Sequence, residues 1–335
     1  MDEIMRRIGC LKESFLTFDN LYAAFRKAYR GTKNNDSYKF CFHLERELFH
    51  LRDELAEGSY VPGAYRYFTV REPKERIISV APFRDRVVHH ALVNVLEPIF
   101  ERRFIYDSYA TRKEKGTHRA ISRAQSFVRR YRWYAKMDIE HYFASIDHAV
   151  LLSIIARNIK DNFVLDVCKS IIFRGGDGRI GLPIGNLTSQ FFANVYLDRL
   201  DHYVKERLRV KGYLRYMDDF CIFHDEKDTV KAYGRDVSGF LAEELSLKLK
   251  ESATLINSRY HGLPLLGVRV FPNLIRIKRE NFVRTFRKLE RRCDEYASGM
   301  IDGKTYDASV QSLLAHLQCH GKNLLKGRLY PGSVS

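Results

Sequence analysis

The chain has 335 residues, room for about two domains or for one domain made of several subdomains. With 45% hydrophobic and 29% charged residues it can bury a core and stay dissolved, and no apolar run approaches the roughly 18 residues a membrane span requires. Its net charge of +16 is spread along the chain and not gathered in a tail, which suits a polyanion held in a basic channel, with plain solubility as the bland alternative.

The first ten residues carry Asp2, Glu3, Arg6 and Arg7 and no apolar stretch, so no export signal is expected there. From about Leu11 to Tyr29 an amphipathic stretch reads as a helix. Phe40, Leu44, Leu48, Leu51 and Leu55 recur at helical spacing before Gly58 and read as a second. Residues 64–82 alternate apolar and charged, which predicts two strands joined by the turn Glu72-Pro73-Lys74-Glu75. Helices are predicted over 85–100 and 117–131, a short strand over 134–139, and helix again over 147–173 before a Gly-rich turn at 175–178. A long helix is predicted from Asn186 to about Arg209, then two strands and a tight turn through Tyr213 to Phe223. A helix over 229–245, strands near 247–255 and 265–271, and a basic helical end from Arg279 complete the chain.

The six cysteines form no CxxC pair and read as reduced cytosolic thiols. His316, Cys319 and His320 come nearest to a zinc cluster, but they lack a second Cys pair and read more plainly as a helix face.

The chemistry is concentrated in two places. Asp218 and Asp219 lie between the apolar runs Tyr213–Met217 and Phe220–Phe223, which predicts a buried hairpin with carboxylates at its tip. Adjacent carboxylates raise each other's pKa unless a cation neutralises them. An Asp-rich surface turn is the plainer alternative. Asp138 follows the apolar run Tyr134–Met137 in a similar setting. A third carboxylate on a neighbouring strand would complete an oxygen cage for Mg²⁺, and two such ions could serve an in-line phosphoryl displacement.

These residues stand within a longer ordered pattern. Arg76-Ile77-Ile78-Ser79-Val80-Ala81-Pro82, Ser108-Tyr109-Ala110-Thr111-Arg112, Asp138-Ile139-Glu140-His141-Tyr142-Phe143, the run from Gly181 to Gln190, Tyr216-Met217-Asp218-Asp219 and Leu265-Leu266-Gly267-Val268-Arg269-Val270 follow one another as the motifs of reverse transcriptases do. From about residue 60 to its end the chain resembles that family. The resemblance implies an α+β right-hand polymerase: an N-terminal helical extension (1–60), fingers (61–132), a palm (133–275, with a fingers segment about 147–180) and a helical thumb (276–335).

It also implies roles. Asp138, Asp218 and Asp219, with the Ile139 carbonyl, would hold two Mg²⁺ ions, Mn²⁺ being an alternative. Lys74 and Arg76 match positions that clamp the triphosphate of a dNTP, Arg112 would meet nucleic acid or phosphate, and Phe143 matches the ring that excludes a ribose 2′-hydroxyl. Lys248 or Lys250 would protonate the leaving pyrophosphate. Ile184, Gly185 and Gln190 belong to the nucleotide pocket. Most relatives place Gln where Ile184 stands and Ser-Pro where Ser189-Gln190 stands.

The pattern Ile-Gly-x-x-x-Ser-Gln resembles the reverse transcriptases of diversity-generating retroelements. These copy a template RNA with errors and work with a small basic oligomeric accessory protein. Antiphage-defence reverse transcriptases of the same lineage are the alternative, and a catalytically dead RNA-binding scaffold a third. The expected setting is cytoplasmic, prokaryotic or phage-encoded, with template RNA and a cDNA–RNA hybrid as partners and no membrane. Choice of one RNA would need a further surface, the first 60 residues or a partner.

Overall fold

The computed structural model describes the backbone of residues 7–32, 34–71, 75–175 and 178–320, with side chains as far as residue 313. The N-terminal region holds four helices where two were expected: α1 (Lys12–Leu16), α2 (Phe18–Tyr29), α3 (Asn35–Phe42) and α4 (Leu44–Glu57). Thr17 ends α1 and caps α2 by accepting from the Asn20 amide. Asn34 and Ser37 form a reciprocal capping box that starts α3. Gly58, at φ 75°, closes α4 as its spacing predicted.

Strands β1 (Arg66–Val70) and β2 (Arg76–Val80) pair antiparallel as a separate two-stranded hairpin. The expected turn at Glu72–Lys74, and with it Lys74, lies outside the described residues. Helices α5 (Phe83–Glu101) and α6 (Thr117–Arg130) follow close to expectation. After β3 (Trp133–Met137) come α7 (Tyr142–Ser145), α8 (His148–Ala156) and α9 (Asn162–Arg174). The single helix expected over 147–173 is thus interrupted, because Asp161 turns its side chain to the Val164 amide and restarts the chain as a new N-cap.

Helix α10 (Leu187–His202) runs into a π-helical turn, Tyr203–Arg207. Strands β4 (Gly212–Tyr216) and β5 (Asp219–His224) form the predicted hairpin, and α11 (Lys227–Leu245) packs behind β3 and β5. β6 (Leu255–Ser258) completes a four-stranded antiparallel sheet in the order β4-β5-β3-β6. A third sheet holds β7 (Leu263–Leu265), β8 (Val268–Val270) and β9 (Ile275–Ile277). The one strand expected over 265–271 is therefore a hairpin. Leu266 and Gly267 turn it, both with positive φ (47° and 83°). Helices α12 (Arg279–Ala297) and α13 (Gly303–His320) are the last described elements. His316, Cys319 and His320 lie where only the backbone is described, so the zinc reading is untouched.

The central sheet is buried on both faces, which explains its nearly continuous apolar strands. Ala135, Met137, Tyr213, Phe220 and Ile222 point into the large core with α5, α10 and α11. Tyr134, Leu214, Cys221 and Phe223 point into a second core with α6 and β7–β9. Among the described residues no helix is long and apolar enough to cross a membrane.

Candidate active site

The pairing registers bring the three aspartates to one end of the central sheet. Tyr216 pairs with Asp219, so Met217 and Asp218 form a two-residue turn in which Met217 takes the left-handed conformation (φ 57°). Met137 pairs with Phe220, so Asp138 follows β3 beside the start of β5. All three carboxylates are half-buried.

Their proximity is visible at Asp218. The Asp218 carboxyl is pushed up to about 6, chiefly by burial and next by the charge of Asp138, with Asp219 adding to it and Arg76 opposing it. The positive charge of Arg76, at the start of β2, is therefore felt at the hairpin tip.

Asp219 is partly neutralised by Lys136, one strand away, through a short ion pair. Although burial works against its charge, the Lys136 ammonium is held above its ordinary value by the Asp219 carboxylate. Among the described residues no three His, Cys, Asp or Glu side chains converge closely enough to hold a metal ion as they stand. The Asp219 oxygen nearest Lys136 is engaged by its ammonium. The donor set itself fits Mg²⁺: hard carboxylate oxygens, sheltered from water, whose mutual repulsion a divalent cation would relieve.

The segment after Asp138 is pinned from the side. The Lys250 amide donates to the Asp138 carbonyl at 2.8 Å and the Glu140 amide to the Lys248 carbonyl at 2.9 Å. The backbone of Lys248 and Lys250 thus runs beside the first aspartate. Phe143 is half-buried, and its carbonyl accepts from the Leu182 amide at 2.7 Å, which seats the Gly181–Gln190 run on the Asp138 motif.

That run also docks on the exposed hairpin. The Ser79 amide donates to the Ile184 carbonyl at 2.7 Å and the Asn186 side chain to the Ser79 carbonyl at 3.2 Å. Gly185 sits at φ 112° with β2 against it; a Cβ there would come within 2.7 Å of Ile78 and 3.0 Å of the Ser79 carbonyl oxygen. Gln190 is exposed and lines a cavity of about 280 Å³ with Val80, Ala81, Arg86, His90 and Gly185.

Arg112 goes elsewhere. Its side chain is 5% exposed, gripped by both carboxylate oxygens of Glu101 and donating to the Ile105 and Ser108 carbonyls at 2.7 and 2.8 Å. It closes the turn after α5, and the expectation that it meets phosphate is corrected by a guanidinium already occupied in the protein interior.

A different arginine, absent from the expectations, supports the site. Arg215 on β4 is fully buried and forms a bidentate ion pair with fully buried Asp201 of α10, at 2.8 and 2.6 Å. Tyr213 donates to the same carboxylate at 2.8 Å. The remaining Arg215 nitrogen donates to the Asn194 side chain at 3.0 Å and to the Met217 carbonyl at 3.1 Å, directly under the hairpin turn. Its backbone pairs with Asp107 and Tyr109. One side chain thus ties the turn bearing Asp218 to α10. The available signal was an Arg inside the apolar run of a doubly buried strand, where an unpaired charge would be prohibitive.

Comparison with known proteins gives the family and the fold. Residues 71–270 match the family model for reverse transcriptase (RNA-dependent DNA polymerase). Protein YkfC of Escherichia coli (strain K12) is 29% identical over 275 residues, covering 68% of this chain and 72% of that protein. The group II intron-encoded protein LtrA of Lactococcus lactis subsp. cremoris is 26% identical over 200 residues, covering 57% of this chain but 33% of that protein. Among solved structures, apo telomerase from Candida tropicalis superposes with a TM-score of 0.53 at 12% identity, covering 79% of this chain and 59% of that one. At that identity the likeness concerns the fold, a right-hand polymerase of mixed helix and strand. The chain spans only part of the length of each of these proteins.

Proposed function

The chain belongs to the reverse transcriptase family of RNA-directed DNA polymerases, and from that premise we propose that it extends a DNA primer along an RNA template at Asp138, Asp218 and Asp219. The observation that carries this is the convergence of the three carboxylates at one end of the central sheet, close enough for Asp138 and Asp219 to raise Asp218. Mg²⁺ ions held by these carboxylates and the Ile139 carbonyl, or Mn²⁺ in their place, would supply the Lewis acidity that phosphoryl displacement needs.

The chain's own groups do the rest. Arg76, on the exposed hairpin, meets the dNTP triphosphate with a guanidinium fork. Lys74 is assigned the same task on resemblance. Phe143 stands where a 2′-hydroxyl would go. Lys248 or Lys250, beside Asp138, delivers a proton to the leaving pyrophosphate. Residues 61–132 serve as fingers, 133–275 as palm, 276–335 as thumb, and 1–60 as an extension. Primer extension on an RNA template with dNTPs and magnesium tests the reading. The native chain should make cDNA and Asp218→Ala should lose about 10³-fold or more; no synthesis by either protein would reject it.

Within the family, Ile184 favours error-prone copying of a dedicated noncoding RNA in a diversity-generating retroelement, with a small basic accessory protein as partner. An aliphatic side chain cannot hydrogen-bond the incoming nucleotide as a Gln could, a difference on the order of 1 kcal/mol. Ile184→Gln should lower misincorporation severalfold. Sequencing cDNA made by both proteins on one template checks this, and equal error rates at every base would refute it.

A further inference from the structure

At the end of the central sheet away from the carboxylates, arginines gather. Arg132 precedes β3 and Asp138 follows it, so the two are separated by roughly 20 Å of strand. Arg259 lies beside Arg132: its amide donates to the Arg132 carbonyl at 2.9 Å, and its guanidinium to the Arg129 carbonyl, at the end of α6, at 3.0 Å. Arg129 donates to the Pro272 carbonyl at 2.7 Å, between β8 and β9. Arg269 donates to the His261 carbonyl at 3.4 Å and stands directly opposite Arg276 across the β8–β9 pair.

The carbonyl bonds hold the guanidinium groups of Arg129, Arg259 and Arg269 without neutralising them, and Arg132 and Arg276 stand beside them. Among the described residues none of the five has an ion pair. Asp225 is close, but its carboxylate accepts from the Arg132 backbone amide. Like charges directly opposite on neighbouring strands cost stability, and Arg269 and Arg276 are both exposed. Beside them Tyr260 is 72% exposed, with the Arg259 guanidinium 5.2 Å from its ring centre. A bond from Arg259, and the charges of Arg259 and Arg132, hold the Tyr260 hydroxyl below its ordinary range.

We propose that this face binds the phosphodiester backbone of a folded RNA at a site separate from the catalytic cleft. Guanidinium forks match phosphate oxygens, and an exposed tyrosine flanked by arginine suits stacking on an unpaired base. The groups gathered on this face are chiefly cationic, where the centre of a protein interface is depleted of charge. It supplies a surface for RNA choice in a region unrelated to the first 60 residues.

The test uses the full chain carrying Arg129→Gln, Arg132→Gln and Arg259→Gln, a labelled RNA hairpin without primer as probe, and oligo(dT) extension on poly(A) as control. Hairpin affinity at physiological salt should fall about tenfold or more, and the slope of log K against log salt should become shallower by roughly two to three. Extension on poly(A) should be unchanged. Unaltered hairpin affinity and slope would overturn the proposal. So would an equal loss of poly(A) extension, which would put these arginines in the cleft, or a loss confined to polyglutamate binding, which would mark an acidic protein as the partner. Arg276→Thr should raise the melting temperature at low salt by relieving Arg269. An unchanged or lower value would remove the electrostatic argument. Failure of the native chain to extend any primer would count against the function proposed above, while unaltered hairpin binding counts against this face alone.

Discussion

Two hairpins of similar length meet at the carboxylates, and they are built in opposite ways. In β4–β5, the eight strand residues Gly212–Arg215 and Phe220–Phe223 are buried, those at the tip are half-buried, and Arg215 anchors the turn from below. In β1–β2, every residue of the first strand is exposed, Tyr67 at 66%, and Ile77 on the second strand is 63% exposed. The buried hairpin holds atoms whose positions must not vary. The exposed one presents Arg76 from a platform tied to the body chiefly through Ser79, Ile184 and Asn186. Burial and a paired charge give placement; exposure gives reach and freedom to move. Catalysis of the proposed kind needs both, because the metal ligands must be preorganised while a nucleotide must enter and leave.

The contrast can be broken most forcefully at Arg215. Replacing it with Met leaves Asp201 buried without its partner, and breaking such a pair costs about 3–5 kcal/mol. Urea unfolding of Arg215→Met should show that loss, and the double variant Arg215→Met/Asp201→Leu should recover most of it. If the double variant regains stability but not primer extension, the anchoring of Met217 is what the pair supplies. If it regains both, the pair is only structural.

A smaller effect tests the crowding at the tip. Asp218 titrates near 6 in the folded chain, above the usual carboxylate value, so the folded state holds its proton more tightly than the unfolded one. The associated stability is full at pH below about 4, falls as pH rises, and is gone above about 6; the total is at most about 3 kcal/mol. Asp218→Asn should therefore stabilise the metal-free protein increasingly between pH 4 and 6 and by a constant amount above. Melting temperatures across that range measure it. A flat difference would mean that burial and the neighbouring aspartates do not raise Asp218 in the folded chain. Added magnesium chloride should shrink the advantage at pH 7.

The smallest effect belongs to the exposed hairpin. Arg76→Ala should leave the melting temperature nearly unchanged, as surface replacements do, and raise the KM for dNTP about tenfold, equivalent to about 1.4 kcal/mol of binding. A fall in stability with unchanged KM would reverse the assignment and make β1–β2 a structural element.

Much of this was legible in the chain. The hairpin at Tyr213–Phe223 announced itself through two apolar runs around paired acids, and Asp138 through the apolar strand before it. What escaped detection depended on contacts between segments distant in sequence. Arg215 looked like one charge among many until Asp201, fourteen residues earlier, was seen to meet it. Arg112 looked available for phosphate because Glu101 is on the preceding helix. Residues 265–271 read as one strand because apolar residues continue through a turn whose positive φ at Leu266 carries no compositional mark. The break at Thr17 likewise rests on a single cap inside a continuous amphipathic pattern.

The openness of β1–β2 also bears on how the protein behaves in a tube. A two-stranded sheet has two outer edges; Ile184 and Asn186 cover part of the β2 edge at Ser79, and an edge strand left uncovered templates pairing between copies. Here Arg66, Arg71 and Arg76 sit on the strands or just beside them, and like charges on two approaching copies would repel. Salt screens that repulsion over distances of about 10 Å at 0.1 M. Concentrated, salt-rich stocks free of nucleic acid are therefore where self-association through this edge should first be seen, as turbidity or a concentration-dependent light-scattering radius.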